Sequence, residues 1–206
     1  MNYITDPQEI ERRSMEIIAP YLENLQITPS ERAIYSRLIH ASGDPELAAK
    51  IVIHPNAVAA GKKALTGGAN IYTDVEMVRS GVNKKKLAAW GGEAHCLIGS
   101  AKTAERAKAD GITRSMAAMR IFGEKLNGAV VAIGNAPTAL YEVLRLVEEE
   151  NVRPALIVGI PVGFVGAAES KDALVQNGKV PFITVTGNKG GSPLAAAAIN
   201  AVMYME

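Results

Sequence analysis

Residues 129–147 read AVVAIGNAPTALYEVLRLV, a short apolar run followed closely by an amphipathic segment. The run Ala129–Ile133 is rich in β-branched residues, which predicts a buried strand. A turn follows at Gly134-Asn135, and Pro137 suits the first turn of a helix. The helix that we predict there has one apolar stripe, formed by Leu140, Val143, Leu144 and Val147. A buried strand that leads directly into an amphipathic helix is typical of a parallel sheet with helices on its faces.

The same alternation of strand and helix recurs along the chain from residue 51. The predicted strands are Ile51–Ile53, Asn70–Thr73, His95–Ile98, Ala129–Ile133, Ala155–Ile160 and Phe182–Val185. Helical patterns lie near residues 56–66, 74–90, 101–110, 113–126, 137–150, 167–177 and 192–204. We therefore predict an α/β protein with a mainly parallel sheet of five or six strands. Neither a repeat nor a linker interrupts the pattern, so we predict one domain over residues 1–206.

Two helices are predicted ahead of the first strand. Asp6-Pro7 and Thr28-Pro29 each combine an N-cap residue with a proline at the first helical position. We expect the first helix to run to about Leu25, with a kink at Pro20. Gly43 ends the second helix, because glycine is the preferred residue at a left-handed helix end.

The charge and cysteine content exclude several classes of protein. A net charge of +1, from 22 basic and 21 acidic residues, gives no electrostatic field for sequence-independent nucleic-acid binding. Cys96 is the only cysteine, so the chain forms neither an intramolecular disulfide nor a cysteine-rich metal site. The longest uncharged apolar run, residues 155–168, is too short to span a membrane. We therefore expect a cytoplasmic protein with neither nucleic-acid nor membrane partners.

Glycine and polar residues concentrate where the predicted strands end. Open parallel sheets bind their ligands beyond the carboxyl ends of the strands. We therefore predict one active-site edge, built from the loops Thr73-Asp74, Gly99-Ser100, Gly134–Thr138, Pro161–Gly166 and Gly187–Ser192.

Three of the predicted helix starts suit an anion, because backbone N–H groups and the helix dipole favour negative charge there. Gly187–Ser192 carries Lys189 but lacks the spacing of a nucleotide P-loop. Its ligand is a carboxylate or a phosphate, or the loop is a plain tight turn. Asn135 is the predicted cap of the helix after Gly134, and this segment is an anion site or only a good helix start. Thr113-Arg114 opens a further helix, where the Arg114 guanidinium either binds a carboxylate or is solvated.

The three histidines, His40, His54 and His95, have no spacing that matches a metal site. We interpret His54 and His95 as structural. His40 lies one helical turn from Arg37, beside the apolar face of the second helix, and histidine is the usual proton carrier near neutral pH. His40 is therefore the candidate catalytic residue, with a structural histidine as the alternative. No serine stands in a nucleophile-elbow context, so a hydrolase triad has little support.

Several segments are distinctive when they are taken together. They are Ser14 with Ser36–Asp44, Thr73–Val78, Val131–Leu140, Pro161–Lys171 and Lys189–Ser192. Their combination resembles the precorrin-8X methylmutase family over nearly the whole chain. The segments that begin at Val131 and Pro161 are highly specific for this family.

The resemblance implies an isomerase of cobalamin synthesis that moves a methyl group from C11 to C12 of its macrocyclic substrate, giving hydrogenobyrinate or cobyrinate. It also implies a flavodoxin-like, three-layer α/β/α sandwich. The family forms homodimers that bind the corrinoid substrate near the subunit interface. No separate cofactor is implied, because any cobalt arrives inside the substrate.

The resemblance also implies roles for individual residues. The family's catalytic histidine, a proton donor or acceptor, matches His40, and its neighbouring substrate contacts match Ser14 and Arg37. Further substrate contacts match Thr113, Arg114, Asn135 and Lys189. A rearrangement within one molecule fits this set of residues, because it needs a rigid pocket and a proton source rather than a nucleophile.

Two other functions remain open at this point. A corrinoid-binding or carrier protein would use the same pocket without catalysis, and His40 would then be dispensable. A phosphate- or nucleotide-binding α/β enzyme would instead use Gly187–Ser192.

Overall fold

Six strands form one sheet in the computed structural model, which describes residues 3–205. The strands are β1 (Ile51–Ile53), β2 (Ile71–Thr73), β3 (Ala94–Cys96), β4 (Val130–Ile133), β5 (Leu156–Gly159) and β6 (Phe182–Val185). Their order is β1-β6-β5-β4-β2-β3; β1 is antiparallel to β6, and all other pairs are parallel. Without β1, this is the strand order of flavodoxin-like folds. The predicted mainly parallel sheet is confirmed.

Helices flank the sheet. They are α1 (Pro7–Ile18), α2 (Pro29–Ser42), α3 (Ala57–Thr66), α4 (Glu76–Gly81), α5 (Lys84–Ala89), α6 (Ala101–Asp110), α7 (Arg114–Phe122), α8 (Pro137–Glu149), α9 (Ala167–Asn177) and α10 (Ser192–Tyr204). Shorter 3₁₀ turns form at Ala19–Leu22, Pro45–Lys50 and Gly123–Leu126. Within residues 3–205, no helix combines the length and the hydrophobicity needed to cross a membrane.

The prediction of one continuous helix over residues 74–90 is wrong. The segment forms two helices, α4 and α5, because Val82 takes extended backbone angles (φ −72°, ψ 137°). Asn83 then caps α5, since its side chain accepts a hydrogen bond from the N–H of Lys86 at 3.0 Å. Asparagine favours such caps over helix interiors, because its side chain competes for backbone hydrogen bonds.

The first helix is also shorter than predicted. Helix α1 ends at Ile18, and the 3₁₀ turn Ala19–Leu22 replaces the expected continuation to Leu25. Pro20 has no N–H group for an i→i−4 hydrogen bond. The α-helix therefore stops at this point instead of continuing through a kink.

The sheet is buried on both faces. In β4, Val130 and Ala132 belong to the core that includes residues of α2, α3 and α10, whereas Val131 and Ile133 belong to the core that includes residues of α7, α8 and α9. The predicted stripe of α8 lies in the second core with Leu140, Val143, Leu144 and Val147. This alternation gives the three-layer α/β/α arrangement that the family resemblance implied.

One buried carboxylate joins two neighbouring strands at the carboxyl edge of the sheet. Asp74 follows β2, and its side chain is fully buried. It accepts hydrogen bonds from the N–H groups of Gly134, Asn135 and Ala136 at 3.0, 2.9 and 2.7 Å. Burial raises the pKa of Asp74, and these three donors oppose that rise. The donors directly precede α8, so the carboxylate fixes the start of that helix to the end of β2.

We expect Asp74→Asn to lower the free energy of unfolding by about 2–3 kcal/mol. The amide of asparagine presents its own N–H group to backbone N–H groups, so a buried donor loses its acceptor. Urea denaturation followed by circular dichroism measures the change. The exposed Asp172→Asn is the matched control, and equal stability of the two variants would contradict the role given to Asp74.

Candidate active site

Helix α2 presents Arg37 and His40 on its exposed side. A capping box of Thr28 and Glu31 begins the helix, and Gly43 ends it in the left-handed conformation, with φ of 65°. His40 lies in the last turn. Both candidate side chains are exposed. The predicted end of this helix at Gly43 is therefore confirmed, and it leaves the imidazole near the carboxyl edge of the sheet.

Lys189 lies against the end of α2. Its Nζ atom contacts the carboxylate of Asp44, which begins the 3₁₀ turn Pro45–Lys50. The hydrogen bond from Lys189 lowers the pKa of Asp44, and the same contact raises the pKa of Lys189. A cavity of about 400 Å³ opens beside the pair, with a lining that includes Ala41, Ser42, Val162, Gly190 and Leu194. The loop after β6 and the end of α2 thus form two walls of one cavity.

Arg37 forms an ion pair that the sequence does not reveal. Its Nη2 atom lies 3.1 Å from Oε1 of Glu11 on α1, and both side chains are about half exposed. Ser14 lies one turn further along α1, where its hydroxyl donates to the carbonyl of Ile10 at 2.8 Å. Arg37 and Glu11 also line a cavity of about 410 Å³ between α1, α2 and the end of α10. An anionic ligand at Arg37 would therefore compete with the Glu11 carboxylate for the guanidinium group.

Thr113, Arg114 and Asn135 come together where α7 and α8 begin. Thr113 caps α7 by accepting a hydrogen bond from the N–H of Met116 at 3.2 Å. Its Oγ1 atom also lies 2.8 Å from Oγ1 of Thr138 in the first turn of α8. Arg114 and Asn135 lie close to this contact in the sequence, and both are exposed. The contact places their backbones at one end of the sheet. The predicted cap at Asn135 is wrong, because Ala136 occupies the N-cap position of α8 and the Asp74 carboxylate accepts the N–H groups there.

The predicted site residues fall into two groups. One group, on α1, α2 and the loop before α10, is Ser14, Arg37, His40 and Lys189. The other group, at the starts of α7 and α8, is Thr113, Arg114 and Asn135. Helices α2 and α10 cover one face of the sheet, whereas α7 and α8 cover the opposite face. The two groups therefore approach the carboxyl edge from opposite faces of the sheet.

Close packing of the loops makes the carboxyl edge a continuous surface. A Cβ atom on Gly134 would lie 2.8 Å from the Cα atom of Ser192 at the start of α10. A Cβ atom on Gly190 would lie 2.5 Å from the carbonyl oxygen of Pro161. Only glycine permits these approaches without a backbone shift. The loops after β4, β5 and β6 therefore lie directly against their neighbours.

Two large apolar side chains stand exposed in the loop after β5. Phe164 is 92% exposed and Val165 is 90% exposed. The sequence places this loop at the edge but gives these side chains no role. The sequence does contain one sign of such a role: two bulky apolar residues stand between Gly163 and Gly166, where turn residues are usually polar. These two neighbouring side chains therefore make the loop a candidate contact surface for an apolar ligand.

The other two histidines make contacts within the protein. His54 accepts a hydrogen bond at Nδ1 from the N–H of Asn56 at 3.1 Å. The ring of His95 stacks on Tyr72 with a centroid distance of 5.2 Å. Burial raises the pKa of Cys96, the neighbour of His95. Among the described residues, no three His, Cys, Asp or Glu side chains are arranged to hold a metal ion.

Comparisons with known proteins agree on one family. The family model described as precorrin-8X methylmutase matches residues 9–205. A cobalt-precorrin-8 methylmutase of Priestia megaterium is 43% identical over 199 residues, which cover 97% of this chain and 88% of the relative. A precorrin-8X methylmutase of a Sinorhizobium species is 43% identical over 202 residues, which cover 98% of this chain and 96% of the relative.

A solved structure gives the same answer for the fold. The precorrin-8X methylmutase of Thermus thermophilus matches with a TM-score of 0.86 at 38% sequence identity. The match covers 95% of this chain and 94% of the solved chain. Since the family model, the relatives and the solved structure all span nearly the full length, the chain belongs to the precorrin-8X methylmutase family.

Proposed function

We propose that the chain catalyses the corrin-forming step of cobalamin biosynthesis, in which a methyl group moves from C11 to C12 of (cobalt-)precorrin-8 to give hydrogenobyrinate or cobyrinate. Family membership makes the chain an isomerase of that pathway. Relatives named cobalt-precorrin-8 methylmutase and precorrin-8X methylmutase are equally similar to it, at 43% identity. In this proposal any cobalt belongs to the substrate, and the enzyme uses no separate cofactor.

The carboxyl edge of the sheet carries the proposal, because it combines apolar surface with positive charge. Phe164 and Val165 supply exposed apolar area, while Lys189 and Arg114 supply cationic groups. The start of α10 adds backbone N–H donors and the positive end of a helix dipole. A corrinoid is a largely apolar macrocycle with acetate and propionate carboxylates around its rim. Both of its features therefore have counterparts at this edge.

His40 is the proposed proton donor or acceptor. A methyl shift within one molecule needs no nucleophile, but it needs a group that favours the reactive tautomer of the macrocycle. The imidazole stands exposed in the last turn of α2, and the next two residues, Ala41 and Ser42, line the cavity beside Lys189. We propose Ser14 and Arg37 as neighbouring substrate contacts, with a substrate carboxylate displacing Glu11 from Arg37.

We further propose a homodimer in which the two groups of site residues reach one substrate. Within one chain, the group around His40 and the group around Thr113 approach the carboxyl edge from opposite faces of the sheet. A partner protomer that brings its own Thr113, Arg114 and Asn135 to His40 would join the two groups around one substrate. The cytoplasmic location and the absence of nucleic-acid and membrane partners stay predictions from the sequence.

We expect His40→Ala to lower turnover at least about 100-fold while the affinity for the corrinoid product stays close to that of the wild type. The substitution removes the proton-transferring group but leaves the apolar and cationic surface in place. Visible absorption spectra follow both conversion of the substrate and binding of the product. His54→Gln is the control, because His54 contacts Asn56 in a loop outside the proposed site.

Two results would overturn parts of this proposal. Undiminished turnover by His40→Ala would remove His40 from the mechanism. A wild-type protein that binds the corrinoid product but never converts the substrate would instead indicate a carrier.

We expect Phe164→Ala to weaken binding of the corrinoid product roughly tenfold, because the aromatic side chain loses its contact with the apolar ring. The thermal unfolding temperature should not change, since a side chain that is 92% exposed contributes little packing. Titration monitored by visible absorption measures the affinity. Tyr21→Ala, another exposed aromatic residue near the end of α1, serves as the control. Equal affinities in both variants would exclude Phe164 from the binding surface.

A further inference from the structure

Lys171 is a lysine with no solvent exposure. It lies in the second turn of α9, shortly after the exposed loop of Phe164. Lysine is almost never fully buried, because removing an ammonium group from water is costly. Burial lowers the pKa of Lys171 to about 8. Burying this ammonium group therefore costs free energy, which another interaction of Lys171 has to offset.

The Lys171 side chain holds one peptide of the loop between β6 and α10. Its Nζ atom donates a hydrogen bond to the main-chain carbonyl of Lys189 at 2.7 Å. Two residues later, the N–H of Gly191 donates to the carbonyl of Ile160 at the end of β5 at 2.9 Å. The loop is thus anchored by a buried cation at one point and by the sheet edge at the next.

The charges around Lys171 do not explain its burial. Asp172, its neighbour on α9, raises its pKa but is itself exposed. Lys50, from the 3₁₀ turn before β1, is a like charge and lowers its pKa. An apolar side chain of similar length would avoid the cost of desolvation. The advantage of lysine at this position therefore lies in the hydrogen bond to the Lys189 carbonyl.

We infer that Lys171 is a positioning residue for substrate binding and that it acts through Lys189. It fixes the Lys189 carbonyl toward the protein interior while the Lys189 side chain reaches out to Asp44 at the end of α2. The ammonium group of Lys189 is then held beside the helix end that carries His40, where a substrate carboxylate can bind it. This inference rests on the proposed function for its substrate.

A double-mutant cycle on affinity tests the inference. Lys171→Met removes the hydrogen-bond donor but keeps a side chain of similar length. Lys189→Met removes the ammonium group that Lys171 is inferred to position. Each single variant should raise KM and weaken product binding roughly tenfold, with little change in kcat, because both affect binding rather than proton transfer. The double variant should be no weaker than Lys189→Met alone, since the two residues act as one unit.

Lys179→Met is the matched control, because Lys179 is an exposed lysine that follows α9 and pairs with Glu148 of α8. It should leave KM unchanged. Fully additive effects of Lys171→Met and Lys189→Met would overturn the inference, as would a Lys171→Met protein that is less stable but has an unchanged KM. If Lys171→Met does not fold, Lys171→Gln, which keeps a shorter donor, takes its place in the same cycle.

Hydrogen–deuterium exchange of the ligand-free protein tests the positioning without any substrate. Lys171→Met should accelerate amide exchange in residues 188–191 several-fold and leave the core strands unchanged. Unchanged exchange in this loop would overturn the inference. A wild-type protein that binds no corrinoid would instead overturn the proposed function, so the two failures are distinguishable.

The buried lysine also predicts a dependence of stability on pH. The pKa is about 8 in the folded protein against an ordinary value of 10.5, so the unfolded chain binds more protons between these values. The contribution of Lys171 to folding therefore becomes more favourable as the pH rises from about 8 toward 10.5. Urea denaturation across this range should show that rise in the wild type relative to Lys171→Met. Parallel pH profiles of the two proteins would show that Lys171 is solvated in solution.

Discussion

The carboxylate of Asp74 is the contact on which the geometry of the carboxyl edge depends. It accepts hydrogen bonds from three backbone N–H groups between β4 and α8. The neighbouring strands β2 and β4 are the point in the sheet from which the chain connections run in opposite directions. With the loop before α8 fixed, Gly134 can lie against Ser192 at the start of α10. One buried anion therefore sets the relative positions of two helix starts on opposite faces of the sheet.

Buried charges in this protein serve two different purposes. Glu142 on α8 is fully buried, but Arg120 and Arg145 pair with it at 2.9 and 2.6 Å, so it joins helices away from the edge. Within residues 3–205, Asp74 and Lys171 form no such ion pairs, and they instead hold backbone groups of the edge loops. Hydrogen bonds to the loop backbone offset part of the cost of desolvating these two side chains. The same bonds order the loops, and an intramolecular rearrangement needs such a rigid pocket.

The outer surface of the edge is less constrained than its base. Phe164 and Val165 are almost fully exposed, and the Arg37 guanidinium pairs with Glu11. Apolar area and exchangeable ion pairs at the rim, above loops with fixed backbones, suit a large amphipathic ligand. Family membership indicates that this ligand is a corrinoid. The site residues are divided between the helix layers on the two faces of the sheet, and this division is the reason for the proposed dimer.

The sequence by itself determined the α/β class, the strands Ile51–Ile53 and Phe182–Val185, the end of α2 at Gly43 and the family. Those features depend on apolar periodicity, caps and motifs that act within a few residues. Only the tertiary structure decided that Asp74 holds the start of α8, that Lys171 holds the loop of Lys189, and that Glu11 pairs with Arg37. Each of these contacts joins separate elements of the chain, so it exists only after the sheet and helices have packed, and no local pattern encodes it.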